Sequence, residues 1–112
     1  MKPKDIVTSY IRALDSGDYP AARELLADDA PIKGPGEELK PDRFIEMLKG
    51  YRSRYDVKKI FEDTDDVCVL YELSTPTATV FMCSWYVVKG GKIASVRSIF
   101  DPRAFAPPPA KK

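Results

Sequence analysis

The stretch Trp85–Asp101, WYVVKGGKIASVRSIFD, constrains the fold of this chain more than any other. Two runs of apolar, β-prone residues flank Gly90-Gly91. A two-residue type I′ turn needs φ > 0 at both central positions, which two glycines supply without steric cost. The stretch therefore reads as an antiparallel hairpin, and the turn sets its register. Lys89 faces Lys92, Val88 faces Ile93, Val87 faces Ala94, Trp85 faces Val96 and Cys83 faces Ser98. Paired residues share a face, and faces alternate along each strand. One face then carries Phe81, Cys83, Trp85, Val87, Ala94, Val96, Ser98 and Phe100. The other carries Met82, Ser84, Tyr86, Val88, Ile93, Ser95, Arg97, Ile99 and Asp101. The first is almost wholly apolar and is expected to look inward. The second is too apolar for open water, so a second copy of the chain is expected to cover it in a homodimer. A C-terminal tail folded back, with Phe105 as its plug, is the alternative cover.

The rest of the chain supplies helices first and strands afterwards. Ile6, Val7, Tyr10, Ile11 and Leu14 recur at helical spacing over residues 4–16, and Gly17 is placed to end that helix. Asp18 can cap a second helix, with Pro20 in its first turn and Asp28-Asp29 at its end. A short strand is expected at Ala30–Lys33, before the loop Gly34-Pro35-Gly36. Pro41 opens a third helix to about Arg52, with Phe44, Met47, Leu48 and Tyr51 along one stripe. Beyond Tyr55 the period falls to two. Strands are expected at Val57–Glu62, Val67–Ser74, Thr77–Lys89 and Lys92–Asp101. The fold class is α+β, with three N-terminal helices packed in a strongly curved antiparallel sheet. A single domain fills residues 1–105, and a Pro/Ala/Lys-rich tail, 106–112, is expected to be extended.

Charge and composition exclude several classes of function. With 18 basic and 17 acidic residues the net charge is +1, which argues against a nucleic-acid footprint or an anionic-membrane anchor. No apolar run is long enough to span a bilayer. The opening MKPKDIVTSY has no continuous apolar core before a small-residue cleavage site, so a cytoplasmic protein is expected. Cys68 and Cys83 lie in strands and read as reduced packing thiols. The chain contains no histidine, which removes Ser-His-Asp and Cys-His catalysis and the commonest zinc ligand. Acid–base chemistry is left to Asp, Glu, Tyr, Lys or Cys. The aspartate pairs lack the alternating oxygen-ligand spacing of a calcium loop, and no cofactor or metal is expected.

Three segments resemble the nuclear transport factor 2-like superfamily, and within it the SnoaL-like proteins and ketosteroid isomerase. They are Tyr10-x-x-x-Leu14-x-x-Gly17-Asp18, the helix end Leu26-Ala-Asp-Asp-Ala30, and Gly91-Lys92-Ile93 leading to Arg97 and Phe100-Asp101. The resemblance spans about Ile6 to Phe105. It implies a cystatin-like cone, in which a curved sheet wraps the helices, leaves an apolar pocket open at one end and dimerises through its outer face.

Carried over residue by residue, the isomerase pattern survives in part. Tyr10 matches the tyrosine that donates to the substrate oxyanion. Gly34 stands where the family has its loop aspartate base. Cys83, or Ser84 if the turn is one residue longer, stands where it has a protonated aspartate. Asp101 matches the acid–base aspartate of SnoaL-like cyclases, although strand parity places it opposite Phe100. The resemblance thus implies Tyr10 and Asp101 as catalytic candidates. The concave face supplies a pocket of Phe81, Cys83, Trp85, Val96, Ser98 and Phe100, with Tyr51, Tyr55 and Tyr71 at its rim. An apolar ligand with one or two oxygens fits this pocket, in a binding protein or in an isomerase, cyclase or dehydratase. The alternative is a non-catalytic interaction module with a filled pocket.

Overall fold

The computed structural model describes residues 2–105, so the tail expected at 106–112 lies outside the described residues, as does the side chain of Phe105. Three helices come first: α1 (Pro3–Asp15), α2 (Tyr19–Glu24) and α3 (Pro41–Tyr51), with β1 (Ile32–Lys33) between the last two. Strands β2 (Arg54–Asp63), β3 (Asp66–Ser74), β4 (Thr79–Lys89) and β5 (Lys92–Ile99) follow, and a 3-10 turn covers Pro102–Phe105. The sheet has the order β1-β5-β4-β3-β2 and does not close. The four long strands are antiparallel, whereas β1 joins β5 in parallel through Ile32 and Val96. The result is the expected α+β cone.

Local chemistry accounts for the helix ends. Gly17 takes φ 77°, and the Asp18 N–H donates to the Ala13 carbonyl at 2.8 Å, closing α1 in a left-handed cap. The Asp18 carboxylate then accepts the Ala21 N–H at 3.2 Å and starts α2. Arg52, at φ 53°, turns the chain out of α3. Ser53 follows, and then β2 begins three residues earlier than expected. The cause is Asp15 at the end of α1, whose carboxylate accepts the Tyr55 N–H at 2.8 Å and the Arg54 Nε–H at 3.1 Å. That contact fixes where the last turn of α1 meets the sheet.

The hairpin turn forms as expected, with Gly90 at φ 60° and Gly91 at φ 78°. Lys89 pairs with Lys92 and Val88 with Ile93. The next pair is Val87 with Ser95, so Ala94 is an extra residue in β5 and the expected register slips by one. Trp85 therefore opposes Arg97, and Cys83 opposes Ile99. A second irregularity lies in β2, between Val57 and Lys59. Each such bulge bends its strand, and together they help to curve the sheet.

β4 turns inward the face that was expected to look outward, and the Ala94 bulge carries β5 across to it. Without the bulge, Ile93 and Val96 would sit on opposite faces. With it, both are buried, and β4 buries Val80, Met82, Ser84, Tyr86 and Val88 beside them. These residues pack with Val67, Val69, Tyr71 and Leu73 of β3 against Ile6, Val7, Tyr10, Ile11 and Leu14 of α1. Phe81, Cys83 and Trp85, expected in the concave pocket, point outward instead. On that convex face Phe61, Phe81, Trp85 and Ile99 are 56, 57, 46 and 68% exposed. The Trp85 indole N–H donates to Asp66 at 2.9 Å, and the Cys68 and Cys83 thiols lie 3.4 Å apart.

The Tyr55 amide, with the Arg54 guanidinium, holds the Asp15 carboxyl below its ordinary pKa. A lowered folded value stabilises the fold above the unfolded pKa of ~3.9, and that contribution is lost as pH falls through the folded value. Asp15→Asn is expected to cost roughly 1 kcal/mol at neutral pH, allowing for partial exposure. In urea denaturation the gap should narrow in acid; a gap that widened there would contradict the linkage.

Candidate functional site

Between α3, the loop after β1 and the concave face of the sheet lies a cavity of about 690 Å³. Its place follows from the topology. β1 lies beside β5 at one edge, and the loop Gly34-Pro35-Gly36 leads away from it. Leu39 returns to β1 by exchanging two backbone hydrogen bonds with Ile32. α3 then crosses the opening and presents Phe44 and Leu48 to the cavity, with Met47 and Tyr51 along the same wall. The sheet contributes Tyr55, Tyr71, Leu73, Met82 and Ser98, and Phe100 follows the end of β5. Gly34, the position that the resemblance equates with the isomerase base, also lines this space. A Cβ built there would meet only the Phe100 ring edge, at 3.6 Å.

The polar groups within the cavity are neutral hydroxyls. Ser84, wholly buried behind it, shares hydrogen bonds with Tyr71 Oη at 2.8 Å and with Ser98 Oγ at 2.7 Å. The Tyr55 and Tyr71 rings stack, with centroids 5.7 Å apart. Burial raises the pKa of Tyr10, Tyr55, Tyr71 and Tyr86 alike. Neighbouring phenols push Tyr10, Tyr55 and Tyr86 further, while hydrogen bonds from Ser84, Tyr86 and Ser98 partly offset the effect at Tyr71. All four therefore remain protonated and able to donate. Charged lining residues, Lys33, Glu37, Arg43 and Glu46, are all exposed and sit at the solvent edge.

The structure divides the expected site residues. Ser98 and Phe100 line the cavity, as do Tyr51, Tyr55 and Tyr71. Val96 faces inward but is packed into the core. Tyr10 is 2% exposed, meets Tyr86 edge-on with centroids 6.0 Å apart, and is not part of the cavity wall. Asp101 is exposed and stands outside that wall. Its carboxylate accepts the Arg103 backbone N–H at 3.0 Å and the Arg103 guanidinium at 2.8–3.2 Å, which lowers its pKa. Ser53, Met82 and Leu39 also line the cavity, although the sequence placed none of them in the pocket. Met82 belongs to the mixed face that was expected to look outward. Ser53, in an α–β junction, carried no periodic signal. Among the described residues no group of three or more His, Cys, Asp or Glu side chains could hold a metal ion, and no helix is long and apolar enough to cross a membrane.

Comparison with known proteins places this geometry. Residues 7–96 match the SnoaL-like domain family. A search of curated proteins finds no match. Among solved structures, a nuclear transport factor 2-like protein of unknown function from Cytophaga hutchinsonii superposes with a TM-score of 0.88 at 28% identity, covering 94% of this chain and 95% of its own. An inferred ketosteroid isomerase from Kribbella flavida gives 0.81 at 18% identity, covering 96% and 83%. IdmH, an inferred polyketide cyclase from Streptomyces antibioticus, gives 0.81 at 20% identity, covering 93% and 95%.

The raised phenol pKa values have a consequence for alkaline stability. A group whose folded pKa lies above its unfolded value stabilises the fold below the unfolded pKa, ~10 for tyrosine, and loses that contribution as pH rises past it. In a phenolate absorbance titration, Tyr10, Tyr55, Tyr71 and Tyr86 should ionise only together with loss of the circular dichroism signal. Ionisation of all six tyrosines with the fold intact would contradict this burial.

Proposed function

Since the chain belongs to the SnoaL-like family, we propose that it is a small-molecule-binding protein whose cavity takes an apolar ligand carrying one or two neutral oxygens. The observation that carries this reading is the composition of the cavity. Apolar side chains make most of its wall, neutral hydroxyls lie within it and formal charge is kept to its mouth. A volume of about 690 Å³ is in the range of small-molecule sites. A charged ligand group would meet no counter-charge inside, and burying it would cost more than an apolar surface can return.

The same chemistry argues for binding ahead of turnover. An isomerase, cyclase or dehydratase needs a base within reach of its substrate. Of the carboxylates along the described cavity wall, Glu37 and Glu46 are exposed, and Glu46 is paired with Lys49 at 3.3 Å. Gly34 supplies no carboxylate, and Asp101 is held by Arg103 outside the wall. The names of the structural neighbours span different chemistries, and one fold of this kind hosts many.

The assembly we propose is a homodimer through the convex face. Phe61, Phe81, Trp85 and Ile99 lie on one side of adjacent strands. Their exposed parts sum to roughly 450 Å², taking 150–250 Å² for each large side chain. That is more than half of the ~800 Å² per partner that a stable interface buries. A two-fold axis through this face would set apolar surface against its own copy and leave the cavity mouth free.

Two measurements test these readings. The naphthalene ketone prodan should bind saturably, one per protomer. Gly34→Leu, which fills the cavity without calling for a strained backbone, should weaken that binding by about tenfold through lost apolar contact. Unchanged binding would refute the pocket assignment. Sedimentation equilibrium at micromolar concentration should show a dimer, and Ile99→Asp should give a folded monomer. A monomeric wild-type protein would refute the interface.

A further inference from the structure

Ser53 stands out among the polar groups of the core. It is 7% exposed and lines the cavity, and its Oγ is the one buried side-chain N or O atom without a hydrogen-bond partner among the described residues. Folded proteins pair nearly all such groups, because an unmet hydroxyl gives up its hydrogen bonds to water and gains none in return. The neighbouring buried hydroxyls follow that rule, since Tyr71, Ser84 and Ser98 satisfy one another. Alanine at position 53 would fill nearly the same space with no polar atom to leave unmet.

The backbone at this point is fixed from both sides. Arg52, at φ 53°, makes the turn out of α3 just before it. Asp15 holds the Arg54 side chain and the Tyr55 N–H just after it. What remains free is the rotation of the serine side chain. Turning Oγ toward a molecule in the cavity breaks no existing hydrogen bond, so it costs only a change between staggered rotamers. Both arginines that flank Ser53, Arg52 and Arg54, are exposed to solvent, and Arg54 is paired with Asp15.

We propose that Ser53 is a ligand-recognition residue, whose hydroxyl has no partner within the described protein and hydrogen-bonds a neutral carbonyl or hydroxyl oxygen of the bound molecule. This rests on the reading of the cavity as a ligand pocket. It adds a selectivity that an apolar cavity alone does not have. Between two ligands of equal size, the one with an oxygen opposite Ser53 is preferred, because the other leaves the hydroxyl unmet.

The test compares wild type, Ser53→Ala and Ser53→Thr, by thermal melts without ligand and by titration with prodan. Prodan emission moves to the red when its carbonyl accepts a hydrogen bond. Ser53→Ala is expected to melt at the wild-type temperature or above it, since it removes an unsatisfied group. It should bind prodan about three- to tenfold more weakly, the loss typical of one hydrogen bond, with emission shifted to the blue. Ser53→Thr, which keeps the hydroxyl, should retain the red-shifted emission. A marked fall in the melting temperature of Ser53→Ala would show that the hydroxyl has a structural partner and would overturn the proposal. So would unchanged affinity and emission, which would leave the pocket reading standing. Absence of saturable binding by the wild type would overturn both.

Discussion

One extra residue in β5 lets apolar positions three apart in that strand join the same buried face of the sheet. Ala94 lets Ile93 and Val96 face the same way, although an unbroken strand would set them on opposite faces. Each then pairs with an inward residue of β4, Val88 and Tyr86 respectively. The slip also brings Ser98 opposite Ser84, so that Ser84 lies between Tyr71 and Ser98. The bulge also increases local twist, which helps an open sheet to curl over α1.

Much of the fold was legible in the sequence because its punctuation is chemically strict. Gly17 and Gly90-Gly91 occupy backbone conformations that L side chains rarely adopt. Asp18 caps α2 by the hydrogen bond its position suggests, and Pro41 stands at the first turn of α3. The faces were less legible. Side-chain alternation fixes a strand face only when the register is unbroken, and both candidate faces of the hairpin were rich in large apolar residues. A bulge of one alanine carries no compositional mark. The start of β2 was hidden for a related reason. A long-range contact from Asp15 sets it, and the irregularity near Lys58 breaks its period of two.

The site was legible where it rests on position and illegible where it rests on pairing. Ser98, Phe100 and the tyrosines at 51, 55 and 71 reach the cavity from places that the pattern of elements foretold. Asp101 is a catalytic candidate through its match to the acid–base aspartate of SnoaL-like cyclases. The turn after β5 instead brings Arg103 onto it, through three contacts with the side chain and one with the backbone. Tyr10 is buried and protonated, as an oxyanion donor would need to be, but the cavity wall is made by Tyr55 and Tyr71. No property of a sequence reveals that a hydroxyl such as that of Ser53 has been left without a partner.

The proposed ligand site lies between α3, the Gly34–Gly36 loop and the concave sheet, with apolar walls and neutral hydroxyls. Amide chemical-shift mapping with prodan tests it most directly. Shifts should gather at Gly34, Phe44–Leu48, Ser53, Tyr71 and Ser98–Phe100. Shifts confined to Phe61, Phe81 and Trp85 on the convex face would contradict it.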